Sequence, residues 1–175
     1  MMATKIKMTH EIDVLIEDPR WDDFDLEALC ARHFDGLMAQ LGHAALPYEV
    51  SVLACNDARI AELNKEFRAK STPTNVLSWP AVERAPEVAG GTPDAPYADM
   101  GMCEMGDIAI SYETCVAEAQ AANRRVMDHV IHLLCHGFLH LLGYDHETDA
   151  DADLMERYEI AYLGSIGIGN PYECV

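Results

Sequence analysis

Residues 132–146 read His132-Leu133-Leu134-Cys135-His136-Gly137-Phe138-Leu139-His140-Leu141-Leu142-Gly143-Tyr144-Asp145-His146, an apolar run broken by regularly spaced histidines. His136 and His140 are four apart, so on an α-helix their side chains lie one above the other on a single face. Gly143 stands three residues later, where a helix can end in a left-handed turn. Such a turn lets the chain double back and bring His146 to the same point. Three neutral imidazoles leave one position of a tetrahedral ion open, the arrangement of a catalytic zinc site. Imidazole suits zinc better than magnesium, which prefers oxygen ligands. His136, His140 and His146 are therefore the expected ligands of one Zn2+ per chain. His132, one turn before His136, is open to three readings: an outer partner, an alternative ligand or a core histidine. His129 carries a weaker signal, and His10, His33 and His43 carry none.

The apolar run of residues 130–142 is too short to span a bilayer and is expected to be a buried helix within 126–142. Working outward, the pattern alternates strands and helices. Residues 10–16 alternate Ile12, Val14 and Ile16 with polar neighbours, as a strand does. Residues 22–41 place Leu26, Leu29, His33, Leu37 and Leu41 at helical spacing, with acidic residues at the start and Gly42 at the end. Residues 48–54 form a second expected strand, Asp57 is the expected cap of a helix through Phe67, and 76–79 form a third strand ended by Pro80. Residues 81–105 hold Pro86, Gly90, Gly91, Pro93, Pro96 and Gly101 without periodicity, and predict a long loop. Residues 107–111 predict a fourth strand, and 112–122 and 149–163 two further helices. The expected class is α+β: a small mixed four-stranded sheet with about five helices, one of them a metalloprotease-like zinc helix. Residues 1–175 are expected to form one domain, as the length allows.

The chain has 12 Lys and Arg against 30 Asp and Glu, a formal net charge of −18. That balance argues against a generic nucleic-acid coat protein but leaves room for a nuclease with a local basic track. Residues 57–70 carry such a track in Arg59, Lys65, Arg68 and Lys70, whereas 145–159 are strongly acidic. Arg124 and Arg125 are candidates to extend it. No apolar export segment follows Met1, and Cys30, Cys55, Cys103, Cys115, Cys135 and Cys174 include no CxxC pair. Free thiols and a cytoplasmic location are expected, with no membrane association.

The spacing H-x3-H-x2-G-x2-H is similar to that of the metzincin zinc proteases, which place a glutamate general base directly after the first histidine. Gly137 occupies that position here. The metal cradle is kept and the water-activating group is lost.

Three ordered blocks carry a closer likeness. HGFLHLLGYDH spans 136–146, LNKEFRAKSTPTNVLSWP spans 63–80, and GDIAIS spans 106–111. In these the chain resembles the YbeY family, endoribonucleases of bacterial ribosomal RNA maturation. It departs from the family in having Asn75 where Asp is usual, and in a longer 81–105 loop. The resemblance implies zinc-dependent hydrolysis of single-stranded RNA, in maturation of the 3′ end of 16S ribosomal RNA and in ribosome biogenesis or quality control. It implies ribosomal RNA and ribosome-associated proteins as partners, no DNA substrate, and Arg68 as the guanidinium that stabilises negative charge on the phosphate. Asp145 and Glu147 flank the third ligand without a settled role. Two other readings stand beside this one: a zinc metallopeptidase, and a non-catalytic ribosome-associated protein with a structural metal.

Overall fold

The computed structural model describes residues 10–173. Four strands, β1 (Glu11–Ile16), β2 (Tyr48–Cys55), β3 (Val76–Pro80) and β4 (Cys103–Ser111), form one sheet in the order β1-β2-β4-β3. β1, β2 and β4 run parallel and β3 is antiparallel to β4, so the sheet is mixed as expected. Five α-helices accompany it: α1 (Leu26–Gln40), α2 (Asp57–Arg68), α3 (Tyr112–Ala121), α4 (Val126–Leu141) and α5 (Asp149–Ser165). The α+β class therefore holds. Among the described residues no helix is long and apolar enough to cross a membrane.

The alternation along β2 explains the layers. Tyr48, Val50, Val52 and Ala54 point to one face and pack with α1 and α4 in the main core, where Phe34 stacks on Phe138 at 4.3 Å between ring centroids. Cys55, Leu77 and Ala109 meet Ile60 of α2 in a smaller cluster. α4 is buried almost all round, through Val130, Leu134, Cys135, Phe138 and Leu139. Such a helix belongs in the centre of a fold. Its less buried stripe carries His129, His132, His136 and His140.

Three local expectations are corrected. The helix expected from Asp22 begins at Leu26, preceded by a 3₁₀ turn, Pro19–Phe24. Asp25 separates them with φ 44°, a left-handed conformation that aspartate tolerates, while Trp21 Nε1 donates to the Cys55 carbonyl at 2.9 Å. The cap of α2 is Asn56, whose side chain accepts from Arg59 N, and not Asp57. β4 starts at Cys103 rather than Asp107, because a bulge lets Glu104 and Gly106 pair with the adjacent Glu49 and Val50. Gly106 has φ +123°, and a Cβ there would run into the Trp79 carbonyl. A glycine inside the strand pattern hid its first half.

Asp57 instead ties α2 to α3. Its Oδ1 accepts from Ser111 Oγ at 2.5 Å, Thr114 Oγ1 at 2.7 Å and Thr114 N at 3.2 Å. Burial pushes the carboxyl up, but these hydrogen bonds and the Arg20 charge bring it below its ordinary value. A depressed folded pKa contributes stability that is present above about pH 4 and lost as pH falls through the folded value. Asp57→Ala is expected to cost about 2 kcal/mol at neutral pH and to flatten the acid limb of the stability profile, read from urea midpoints across pH.

Candidate metal centre

α4 ends in a Schellman turn: Tyr144 N donates to the Leu139 carbonyl at 3.1 Å and Gly143 N to that of His140 at 3.0 Å. Gly143 takes φ +98°, and its α-carbon is pressed against Arg84, whose backbone carbon would lie 2.9 Å from any Cβ. The turn reverses the chain and sets His146 beside the two helix histidines. The ring centroids of His146 lie 5.4 Å from His136 and 5.0 Å from His140. One ring nitrogen from each of the three falls within 4.8 Å of the others.

The hydrogen bonds fix which nitrogens face the centre. His140 Nδ1 lies 2.9 Å from the Tyr144 carbonyl, which can only accept, so Nδ1 carries the proton. His136 Nδ1 lies 2.6 Å from Glu159 Oε1 and donates to that carboxylate. In the tautomers these bonds select, the two Nε2 atoms present bare lone pairs and face each other at 3.1 Å. Such a contact is repulsive without a cation between the nitrogens, and it is close to the ~3.3 Å separation that tetrahedral bonds of ~2.0–2.1 Å to zinc would set. Burial, with the neighbouring His136 and His146, pulls the His140 pKa down to about 4, so the ring is a neutral donor at physiological pH. The donor set fits a zinc ion held by His136, His140 and His146.

Arg68, the last residue of α2, is exposed and lines the same cleft, of about 710 Å³, as His136, His140 and His146. Arginine–carboxylate pairs among the described residues are made by Arg20, Arg59 and Arg125, leaving Arg68 uncommitted. Lys70 shares the cleft. The rest of the expected basic track does not: Arg59 pairs with Glu17 and Glu62, and Arg124 donates to the carbonyls of Asn170 and Glu173. Asn75 also lines the cleft and donates to both oxygens of Glu118, at 3.2 and 3.0 Å. An aspartate there would set carboxylate against carboxylate, which gives the departure at this position a physical reason.

Gly137 faces the sheet rather than the cleft. A Cβ there would press on the Ile108 side chain at 3.3 Å and on Val76 at 3.4 Å, so a side chain at the position that carries a glutamate in metzincins would start out against apolar groups of the sheet. Asp145 Oδ1 accepts from His146 N at 2.7 Å and shapes the turn. Cys135 is fully buried in the core.

Two residues invisible to the motif reading support the site. Glu159 of α5 is 0 % exposed yet ionised: burial pushes it up, and His132 and His136 more than offset this, holding its pKa at about 2. It sits on the apolar stripe of Met155, Tyr162 and Leu163, and an acid on such a stripe asks for a partner. Arg84, from the 81–102 connection, is 3 % exposed and reaches the Leu141 carbonyl at the end of α4, at 3.3 Å. The cation complements the negative C-terminal end of α4. The long connection thus braces the metal turn. Arg84→Ala is expected to lower stability by about 2–3 kcal/mol, by orphaning buried carbonyls, with thermal denaturation of the metal-free protein as the measurement.

The sequence matches the family model described as Endoribonuclease YbeY over residues 11–167. It is 52% identical to the Endoribonuclease YbeY of Dinoroseobacter shibae, over 93% of this chain and 90% of that protein. It is 54% identical to that of Ruegeria sp. strain TM1040, over 92% and 95% respectively. The solution structure of TM1509 from Thermotoga maritima shares the fold at a TM-score of 0.52 and 22% identity, over 93% of this chain and 99% of that one.

Proposed function

The chain belongs to the Endoribonuclease YbeY family, and from this we propose that it is a zinc-dependent endoribonuclease cutting single-stranded RNA. We place its work in the cytoplasm, in maturation of the 16S ribosomal RNA 3′ end and in ribosome quality control, with ribosomal RNA and ribosome-associated proteins as partners. Residues 1–175 act as one domain in this reading. The observation that carries it is the meeting of three converging imidazoles and a free guanidinium in one cleft.

His136, His140 and His146 would hold the ion. When bound, zinc supplies a Lewis acid and a water acidic enough to act as nucleophile at neutral pH. Arg68, with its guanidinium unpaired, binds the phosphate and meets the charge that gathers on its oxygens as the bond is cut. Lys70 adds a non-directional positive charge to the same wall, which favours the backbone of any sequence over a particular base. Three imidazoles would leave one position of a four-coordinate ion open, whereas a structural zinc site would be closed by four protein ligands. The filled space at Gly137 weighs against the peptidase.

The test offers three polymers side by side to the zinc-loaded protein: a single-stranded ribosomal RNA oligonucleotide, DNA of the same sequence, and a peptide library. Cleavage of the RNA alone is expected. Cleavage of peptides with RNA intact would transfer the assignment to the peptidase class.

A further inference from the structure

Glu159 is the most buried acidic residue near the cleft, and its contacts are few and specific. One oxygen takes the His136 Nδ1 proton at 2.6 Å and lies 3.8 Å from His132 Nε2. The other accepts the hydroxyl of Tyr172. Tyr172 arrives from far along the surface: after α5 the chain turns at Gly167 and runs back beside α4. Arg124 fastens that return through the Asn170 and Glu173 carbonyls, at 3.3 and 3.4 Å, and Tyr172 N donates to Asn170 Oδ1 at 2.9 Å. The Tyr172 ring packs edge-on against His132, 5.7 Å between centroids.

A carboxylate with no exposed surface is costly to fold in unless each oxygen has a donor. Here both do, and the arrangement does one thing to the site: it pins the His136 ring in the tautomer and rotation that aim Nε2 at the centre. We propose that Glu159 and Tyr172 are positioning residues of the metal centre, so that the C-terminal return of the chain completes the zinc site from outside. His132 then belongs to the wall of this layer, near the Glu159 oxygen and the Tyr172 hydroxyl, and is not a fourth ligand. The inference rests on the metal reading above. A carboxylate behind a ligating imidazole raises its basicity and fixes its orientation, and loss of such a partner typically weakens metal binding 10–100-fold.

The experiment measures zinc affinity of the full-length protein by competition with a chromophoric chelator, for wild type, His140→Ala, Glu159→Gln and Tyr172→Phe. Visible absorption of the cobalt forms and melting of the metal-free forms are recorded alongside. Wild type is expected to bind one ion and His140→Ala to bind far more weakly. Glu159→Gln is expected to lose about 10–100-fold in affinity, with a shifted cobalt spectrum, and Tyr172→Phe several-fold, with metal-free melting unchanged. Equal, weak binding by wild type and His140→Ala would overturn the metal reading itself. Tight wild-type binding matched within twofold by Glu159→Gln, with the same cobalt spectrum, would overturn this inference alone. If Glu159→Gln fails to fold, Tyr172→Phe decides, and unchanged affinity and spectrum in that variant count against the proposal.

Discussion

Arg68→Ala is expected to lower RNA cleavage by about 10²–10³-fold while leaving the zinc content at one ion per chain. The magnitude is that of removing one preorganised donor from a developing oxyanion, about 2.7–4 kcal/mol of barrier. The separation of activity from metal content follows from the architecture. Arg68 lies at the exposed end of α2, whereas the proposed ligands come from α4 and the turn after it. Among the described residues no ion pair ties Arg68 to the rest of the fold, so its removal is expected to leave stability nearly unchanged. Arg68→Lys keeps a charge but not the two-pronged donor, and is expected to recover only a part of the rate. Single-turnover cleavage with parallel metal analysis checks this. Full activity of Arg68→Ala would remove the residue from the mechanism.

Chelation is expected to abolish cleavage and to lower the melting temperature by about 5–10 °C. An ion bound at a hundred times its Kd adds about 2.7 kcal/mol of stability. For a chain of this size each kcal/mol is worth about 2–4 °C. Zinc is expected to restore both properties, and magnesium neither, because an all-imidazole site offers no oxygen ligands. The lowered pKa of His140, about 4, means that this ring has no proton to shed when an ion binds at neutral pH. Recovery of activity with magnesium alone would contradict the proposed site.

What the amino-acid order made legible, and what it hid, divides along a physical line. The spacing of His136, His140 and Gly143 speaks directly of a helix face and its end, and the structure has that face and that Schellman turn. The period-two run of β2 likewise speaks of a strand with a buried face. Features that depend on contacts across the fold were silent. Arg84 lies in an aperiodic stretch, and its partner carbonyl belongs to Leu141, 57 residues away. Glu159 is lost among the many acids of α5, although its place on the apolar stripe of that helix was a readable sign. Tyr172 reaches the site only because the chain turns back after α5. The early start of β4 was hidden by a bulge at Gly106, and the helix boundary before Leu26 by Asp25 in a left-handed conformation. Local periodicity thus located the three converging histidines, while the groups that contact them are set by tertiary packing.

The most direct test compares wild type and His140→Ala, purified in parallel and loaded with zinc, on a ribosomal RNA fragment. The account predicts discrete cuts by the wild type and none by the variant. Identical cutting by both, or intact RNA with the zinc-loaded wild type, would contradict it.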